Sequence, residues 1–340
     1  MKKIIILVIA AVIVAAVAIV GTVTVYSFLE PTGNLHSPLI FEIEQGQALN
    51  TIAARLESEG AIQSSLALRV YARLKGTSAD FKVGTYRIQP EMGLVEVHDL
   101  LISGRQMLLR VTIPEGKTLS EIARIMDEAG IVSAEEFTQA AMNQGILQEF
   151  DIPGRTAEGF LFPDTYYFAE NYPALEVVRH LIVRFFENME DIYPDYVLLD
   201  RSELYDAVVL ASIIEREYAF AEEAPIIASV FLNRLENNQK LESCATVEYF
   251  ITEVEGEPRP ERITDYHYLR QSEYNTYLNQ GLPPAPIASP GSVALDAVFH
   301  PGETDYLYFV VDPDNESRHH FSRTWEEHQR ASRRYLRSRS

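Results

Sequence analysis

Residues 210–218 read LASIIEREY, and two acids, Glu215 and Glu217, follow directly on an apolar run. On a helix of about 100° per residue, positions two apart lie roughly 200° apart, so at most one of the pair can share the apolar face. Projected on a helix over 204–217, Glu217 falls within about 60° of Leu210, Ile213 and Ile214. Glu215 aligns instead with Val208, Ala211 and Ser212. A carboxyl on the bulkier stripe is desolvated and keeps its proton to higher pH, as a general acid near neutrality must. The same position would also suit a carboxylate that caps, or that pairs with a cation such as Arg234.

Residues 274–291, YNTYLNQGLPPAPIASPG, set Asn275, Thr276 and Tyr277 in a Pro-rich loop that fixes polar side chains with little entropy loss. Aromatic faces beside amides suit sugar rings, and Tyr166, Tyr167, Tyr249, Tyr266, Tyr268, Tyr274 and Tyr277 supply such faces; each of them also suits packing.

The elements that must hold these residues are readable in outline. An amphipathic helix is expected over 174–199, followed by the Leu204–Glu217 helix. Another begins at Pro225 and ends at Asn237-Asn238. From Thr246 to Pro290, six prolines forbid long helices. YLYFVVD (306–312) reads as a strand, HHFSRT (319–324) as its partner across a turn at Asp314-Asn315, and a last helix starts near Trp325. His319-His320 reads as a structural pair rather than as ligands, and no Cys/His spacing suggests a metal.

Two stretches repeat at an offset of 70: FEIEQGQALNTIAARLESEGAI (41–62) and VTIPEGKTLSEIARIMDEAGIV (111–132). Each reads as a strand, a Gly turn and an amphipathic helix ending at Gly. The first continues through SSLALRVYARLKG (64–76), a second helix, into FKVGTYRI (81–88), a strand with a Gly kink. This β-α-α-β unit resembles the LysM module, which binds N-acetylglucosamine-containing glycans; it would equally serve as a positioning domain.

Lys2 and Lys3 precede an apolar stretch from Ile4 to about Phe28, long enough to span a bilayer. The lysines favour a cytoplasmic N-terminus, with the remainder outside the cytoplasm. Cleavage after Ala16-Val17-Ala18 is the alternative. A net charge of −20 argues against nucleic acid as partner. Basic residues gather only at the end, from Arg330 to Arg339, as on a solvated helix face. The single cysteine, Cys244, excludes an intrachain disulfide.

Taken in order, LASIIEREY, IASVFLNRL, TVEYF, YNTYLNQGLPPAPIASPG and DYLYFVVD…HHFSRTWEEH resemble the endolytic murein transglycosylase (MltG, YceG-like) family. TIPEGKTLSEIA (112–123) and EGFLFPDTYYF (158–168) match its upstream part. The resemblance implies cleavage of the β-1,4 bond between N-acetylmuramic acid and N-acetylglucosamine within peptidoglycan strands, leaving 1,6-anhydro ends without addition of water. It places the general acid/base on Glu217, and roles beside that acid or against substrate on Glu215, Glu158, Asn233, Asn275, Thr276, Tyr277, His320 and Ser322. It implies no metal or organic cofactor, glycan strands as substrate, and peptidoglycan synthases as partners.

The expected fold is therefore α+β. A transmembrane helix covers 1–30, a LysM-like module 38–106, and a mixed α+β catalytic domain 107–340, opening with the second repeat at 111–132. The expected location is the cytoplasmic (inner) membrane, single-pass, with the catalytic domain outside. Two departures stand out. Tyr218 replaces the family's Thr, and Ser243-Cys244-Ala245-Thr246-Val247 replaces Ser-Asp-Pro-Thr-Val, with the Cys244 thiol expected to be reduced and buried. A non-catalytic wall-binding scaffold would tolerate both departures. A water-using glycoside hydrolase would enlist Glu215 or Asp265.

Overall fold

A computed structural model describes residues 29–104, 108–312, 315 and 318–337. The expected span over Ile4–Phe28 lies outside them, and among the described residues no helix is long and apolar enough to cross a membrane. The fold is mixed α+β, in two compact units divided at Leu108/Leu109.

The first unit runs β1 (Leu39–Ile43), α1 (Leu49–Ser58), α2 (Ser65–Lys75), β2 (Gly84–Ile88) and α3 (Leu94–Ser103). β1 and β2 pair antiparallel, with Phe41 opposite Tyr86 and Ile43 opposite Gly84. Alternation along β1 turns Phe41 and Ile43 onto a core completed by Ile52, Leu56, Leu68 and Leu101. Ser64 caps α2 by accepting from the Ala67 N–H, and Gly76 ends it at φ 74°. β2 starts only at Gly84, so residues 81–83, expected to belong to the strand, lie outside it.

The second unit opens on β3 (Leu108–Thr112) and α4 (Leu119–Glu128), the repeat of β1 and α1. Gly46 and Gly116 in the turns, and Gly60 and Gly130 at the helix ends, all have φ between 71° and 83°. The repeat therefore preserves positions that only glycine occupies without strain. The copies then diverge. α5 (Ala134–Ala141) and α6 (Gln144–Glu149) intervene before β4 (Thr165–Ala169), which pairs with β3. α7 (Ala174–Ile192) ends ahead of Pro194, short of the expected 199.

α8 (Arg201–Ile214) lies in the middle of the core, with Val208 to Ile214 all buried. α9 (Ala224–Glu236) and α12 (Ser292–Phe299) pack on it, and α7 packs on α12. Between them, α10 (Cys244–Tyr249) continues into a wider turn over Phe250–Val254, so this stretch is helical where the prolines further on suggested only turns. Its first proline is Pro258, past the helix. A single turn, α11 (Asp265–Tyr268), precedes the Pro-rich loop. β5 (Tyr308–Asp312) and β6 (Arg318–Ser322) form an antiparallel hairpin, and α13 (Trp325–Arg337) follows.

Candidate active site

The helix of the Glu-x-Glu motif stops earlier than the pattern suggests. α8 ends at Ile214, and Glu215 is its C-cap, donating its N–H to the Ala211 carbonyl at 2.8 Å. The chain then tightens, with the Arg216 N–H bonding the Ile213 carbonyl and the Glu217 N–H the Ile214 carbonyl at 2.9 Å. These three-residue spacings belong to a 3₁₀-type turn. The projection of Glu217 onto the Leu210/Ile213/Ile214 stripe is thus corrected. From Val208 to Ile214 α8 is buried on every side, so no single stripe exists there, and both acids emerge from its C-terminal end.

Both carboxyls are consequently desolvated. Burial raises the Glu215 carboxyl to about 7, despite the Gly291 N–H that it accepts at 2.9 Å. The Glu115 carboxylate adds to the rise and the Tyr218 hydroxyl opposes it. Glu215 thereby ties the end of α8 to the start of α12. Burial also raises Glu217. The Ser243 hydroxyl donates to Glu217 Oε1, and with the charges of His319 and Arg216 it offsets part of that rise.

A relay of side chains fixes Ser243. Its N–H donates to Thr276 Oγ1 at 3.0 Å, Thr276 Oγ1 lies 2.8 Å from Thr246 Oγ1, and Thr246 donates to the Ser243 carbonyl at 2.8 Å. Thr276 therefore supports the acid through Ser243. Asn275 is fully buried, its amide donating to the Tyr268 and Arg270 carbonyls and its oxygen accepting from the Tyr277 N–H. It braces the loop and is closed to substrate. The Tyr277 ring lies tilted against that of Tyr268, with centroids 4.3 Å apart, and both hydroxyls meet the Cys244 thiol. Cys244, the first residue of α10, is exposed rather than buried.

Arg216 does not approach substrate freely; it is bonded to Glu248 at 2.5 Å, which also takes Arg259. Arg234, weighed above as a partner for Glu217, instead donates to the Leu307, Lys240 and Leu241 carbonyls and to Glu242. Asn233 donates to the Thr304 and Tyr306 carbonyls and likewise shapes backbone.

Strand parity separates the two neighbouring histidines. His320 is exposed, in a cleft lined by Glu327, Arg330 and Arg334 of α13. His319 turns the other way. Its Nδ1 lies 2.8 Å from the buried Glu223 carboxylate, which also accepts the His319 N–H at 2.8 Å. The histidine that acts electrostatically on Glu217 is His319. Ser322 is buried and its hydroxyl makes no hydrogen bond, so it offers substrate nothing directly. Sequence pattern does not mark Ser243, His319 or Glu223 as members of this cluster. The shared parity of His319 with the apolar Phe321 was the available signal for the histidine.

Glu158 is 5% exposed and sits away from this cluster. It accepts the Leu119 N–H at 2.7 Å, capping α4 from a distance, and the Tyr249 hydroxyl at 3.3 Å. Burial, first of all, pushes its carboxyl up to about 8. The folded chain then keeps a proton that the unfolded chain releases near 4.5. Stability from this group is therefore complete below about 4.5 and is lost as pH rises to about 8, by on the order of 5 kcal/mol. Glu158→Gln, a neutral isostere, is expected to flatten this part of the melting-temperature profile between pH 5 and pH 8. Thermal melts of both proteins across that range check it; parallel profiles would show that Glu158 does not titrate there.

Among the described residues, no group of three or more His, Cys, Asp or Glu side chains is placed to hold a metal ion.

A buried helix delivering a desolvated carboxyl to a tight turn, seated on a Ser–Thr–Thr relay, defines a site for acid–base chemistry. The chain belongs to the YceG-like family, whose pattern it matches over residues 41–334. It is 30% identical to an endolytic murein transglycosylase of Bacillus subtilis, over 95% of this chain and 92% of that protein. The endolytic murein transglycosylase of Streptococcus pneumoniae R6 is 26% identical over 85% of this chain, which spans only 56% of that longer relative. A crystal structure of a YceG-like protein from Listeria monocytogenes is similar with a TM-score of 0.59 at 25% identity, covering 86% of this chain and 98% of that one.

Proposed function

We propose that this chain is a membrane-anchored endolytic transglycosylase that cuts the N-acetylmuramic acid–β-1,4–N-acetylglucosamine bond of peptidoglycan, with Glu217 as its one acid/base. The enzyme class, a peptidoglycan lytic transglycosylase, is that of its named relatives. The observation that carries the assignment of roles is the pairing of a raised Glu217 carboxyl with the Ser243 hydroxyl.

A carboxyl held protonated can deliver its proton to the glycosidic oxygen as the C1–O4 bond breaks. The resulting carboxylate then takes the proton of the muramic C6 hydroxyl, whose oxygen closes onto C1. No water is consumed, and one carboxyl serves both steps, unlike the two-carboxylate glycosidases. Ser243 donates to one oxygen and leaves the other for the exchange. Glu223 holds His319 so that its charge favours the carboxylate formed midway.

The apolar N-terminal stretch, Ile4–Phe28, anchors the chain in the inner membrane with both units outside the cytoplasm, and the β-α-α-β unit serves as a LysM-like positioning module. Glycan strands are the substrate; peptidoglycan synthases are fitting neighbours because they supply new strands. Strands labelled at one end test the endolytic reading. Internal fragments of mixed length are expected early in digestion, whereas release of single disaccharides from an end would contradict it.

Ser243→Ala removes a hydrogen bond that favours ionised Glu217, so the carboxyl should rise further. The expected result is activity lowered roughly 10-fold, the order of one lost hydrogen bond to a charged group, with the alkaline limb of the pH–rate profile moved to higher pH. An unmoved limb would mean that Ser243 does not act through Glu217.

A further inference from the structure

Helix α2 (Ser65–Lys75) leaves an apolar stripe uncovered. Leu66, Val70 and Leu74, four residues apart and hence on one face, are 60%, 49% and 83% exposed. A core helix buries such a stripe. Here Leu68 and Ala72, on the other side, face the core instead. Arg69, Arg73 and Lys75 flank the stripe, and α2 contains no acid, although the whole chain carries a net charge of −20. The groove between this face and the start of α1 is lined by aliphatic, small polar and arginine side chains, with no aromatic ring and no carboxylate. A sugar site would draw on ring faces and charged acceptors; an aliphatic stripe edged with cations is the pattern of a helix lying in a lipid interface.

The path of the chain says which surface is near. The Gln63 amide, one residue before the Ser64 cap of α2, donates to the Glu30 and Pro31 carbonyls. The Thr32 hydroxyl donates to the Gly60 carbonyl at 2.6 Å. The polypeptide leaving the apolar Ile4–Phe28 sequence is therefore fastened at the N-terminal end of α2 within a few residues.

We propose that this face of α2 is a lipid-contacting surface: Leu66, Val70 and Leu74 enter the acyl boundary of an anionic bilayer while Arg69, Arg73 and Lys75 meet its headgroups. The proposal rests on the reading of Ile4–Phe28 as the anchor. Tethering supplies the high local concentration that lets so small a face hold to the bilayer, and so fixes the orientation of the first unit above it.

The test uses the full chain reconstituted into phosphatidylcholine–phosphatidylglycerol vesicles with brominated acyl chains. Leu74→Trp in a Trp325→Phe background places the only indole on the stripe; Glu57→Trp in the same background is the comparison. Val70→Trp reports independently should Leu74→Trp fail to fold. Loss of most emission at position 74 or 70, little loss at 57, and recovery on adding Arg69→Glu and Arg73→Glu are expected. A protein that floats with the vesicles yet keeps its emission at both stripe positions overturns the surface while the anchor stands. One that does not float overturns the anchor, and the surface with it. A shift in emission on adding glycan strands, without quenching by bromine, would make the groove a sugar site. Concentration-dependent burial without lipid would make it a contact between copies; either result overturns the proposal.

Discussion

Glu217→Gln is expected to abolish formation of anhydro-ended product, with a loss of ~10²–10⁴-fold, the usual range for a general acid–base group. The amide keeps the size of the side chain and still accepts from Ser243, but it has no carboxylic proton to give. Because burial already favours the neutral form of Glu217, the neutral amide should melt at or slightly above the wild-type temperature, and most clearly so at alkaline pH. The sign follows from the raised carboxyl. The wild-type protein loses stability as that group ionises, and the amide has nothing to ionise. Glu215→Gln is the paired control. It can still accept from the Gly291 N–H, so it should fold and keep substantial activity. A dead Glu215→Gln beside an active Glu217→Gln would reverse the two roles. Both Glu215 and Glu217 are desolvated, so the choice between them rests on their partners: Glu215 is engaged by backbone at a helix start, and Glu217 by a single hydroxyl.

Arg234→Ala is expected to cost about 3–5 kcal/mol of stability, the range for removing one member of a buried charged network. The guanidinium joins the Leu307 carbonyl at the edge of β5 to the Lys240 and Leu241 carbonyls, just before Glu242 and Ser243. It also lies over the Tyr308 ring at 5.0 Å. Alanine strands these buried carbonyls and frees the segment that carries Ser243 to Glu217. Arg234→Lys should recover only part of the loss, since an ammonium cannot reproduce the planar fork. Urea unfolding of the three proteins measures this. A change below about 1 kcal/mol for Arg234→Ala, the size of an ordinary surface substitution, would mean that the network is dispensable.

These positions show where sequence pattern suffices. The β-α-α-β order, the glycine turns of both repeats and the β5–β6 hairpin follow from local rules: alternation, capping serines and residues that tolerate positive φ. The end of α8 does not. With Val208 through Ile214 buried on all sides, hydrophobic periodicity carries no phase, and a projection extended past Ile214 describes a helix that has already become a tighter turn. Likewise the period of a strand is visible in HHFS, but the pairing of His319 with the buried Glu223, 96 residues away in sequence, is not. The Ser243 contact joins residues 26 apart in sequence through a fold that no local signal describes. Asn275 and Thr276 stand out in the sequence, but that Asn275 bonds backbone and Thr276 bonds Ser243 is visible only in the fold.

The most direct test of the central claim is mass analysis of glycan ends formed by the purified full chain in heavy-oxygen water. A transglycosylase run by Glu217 should leave muramic ends one water lighter than a reducing sugar, with no heavy oxygen incorporated, and Glu217→Gln should leave none. Reducing ends carrying heavy oxygen would contradict the account and make the protein a hydrolase.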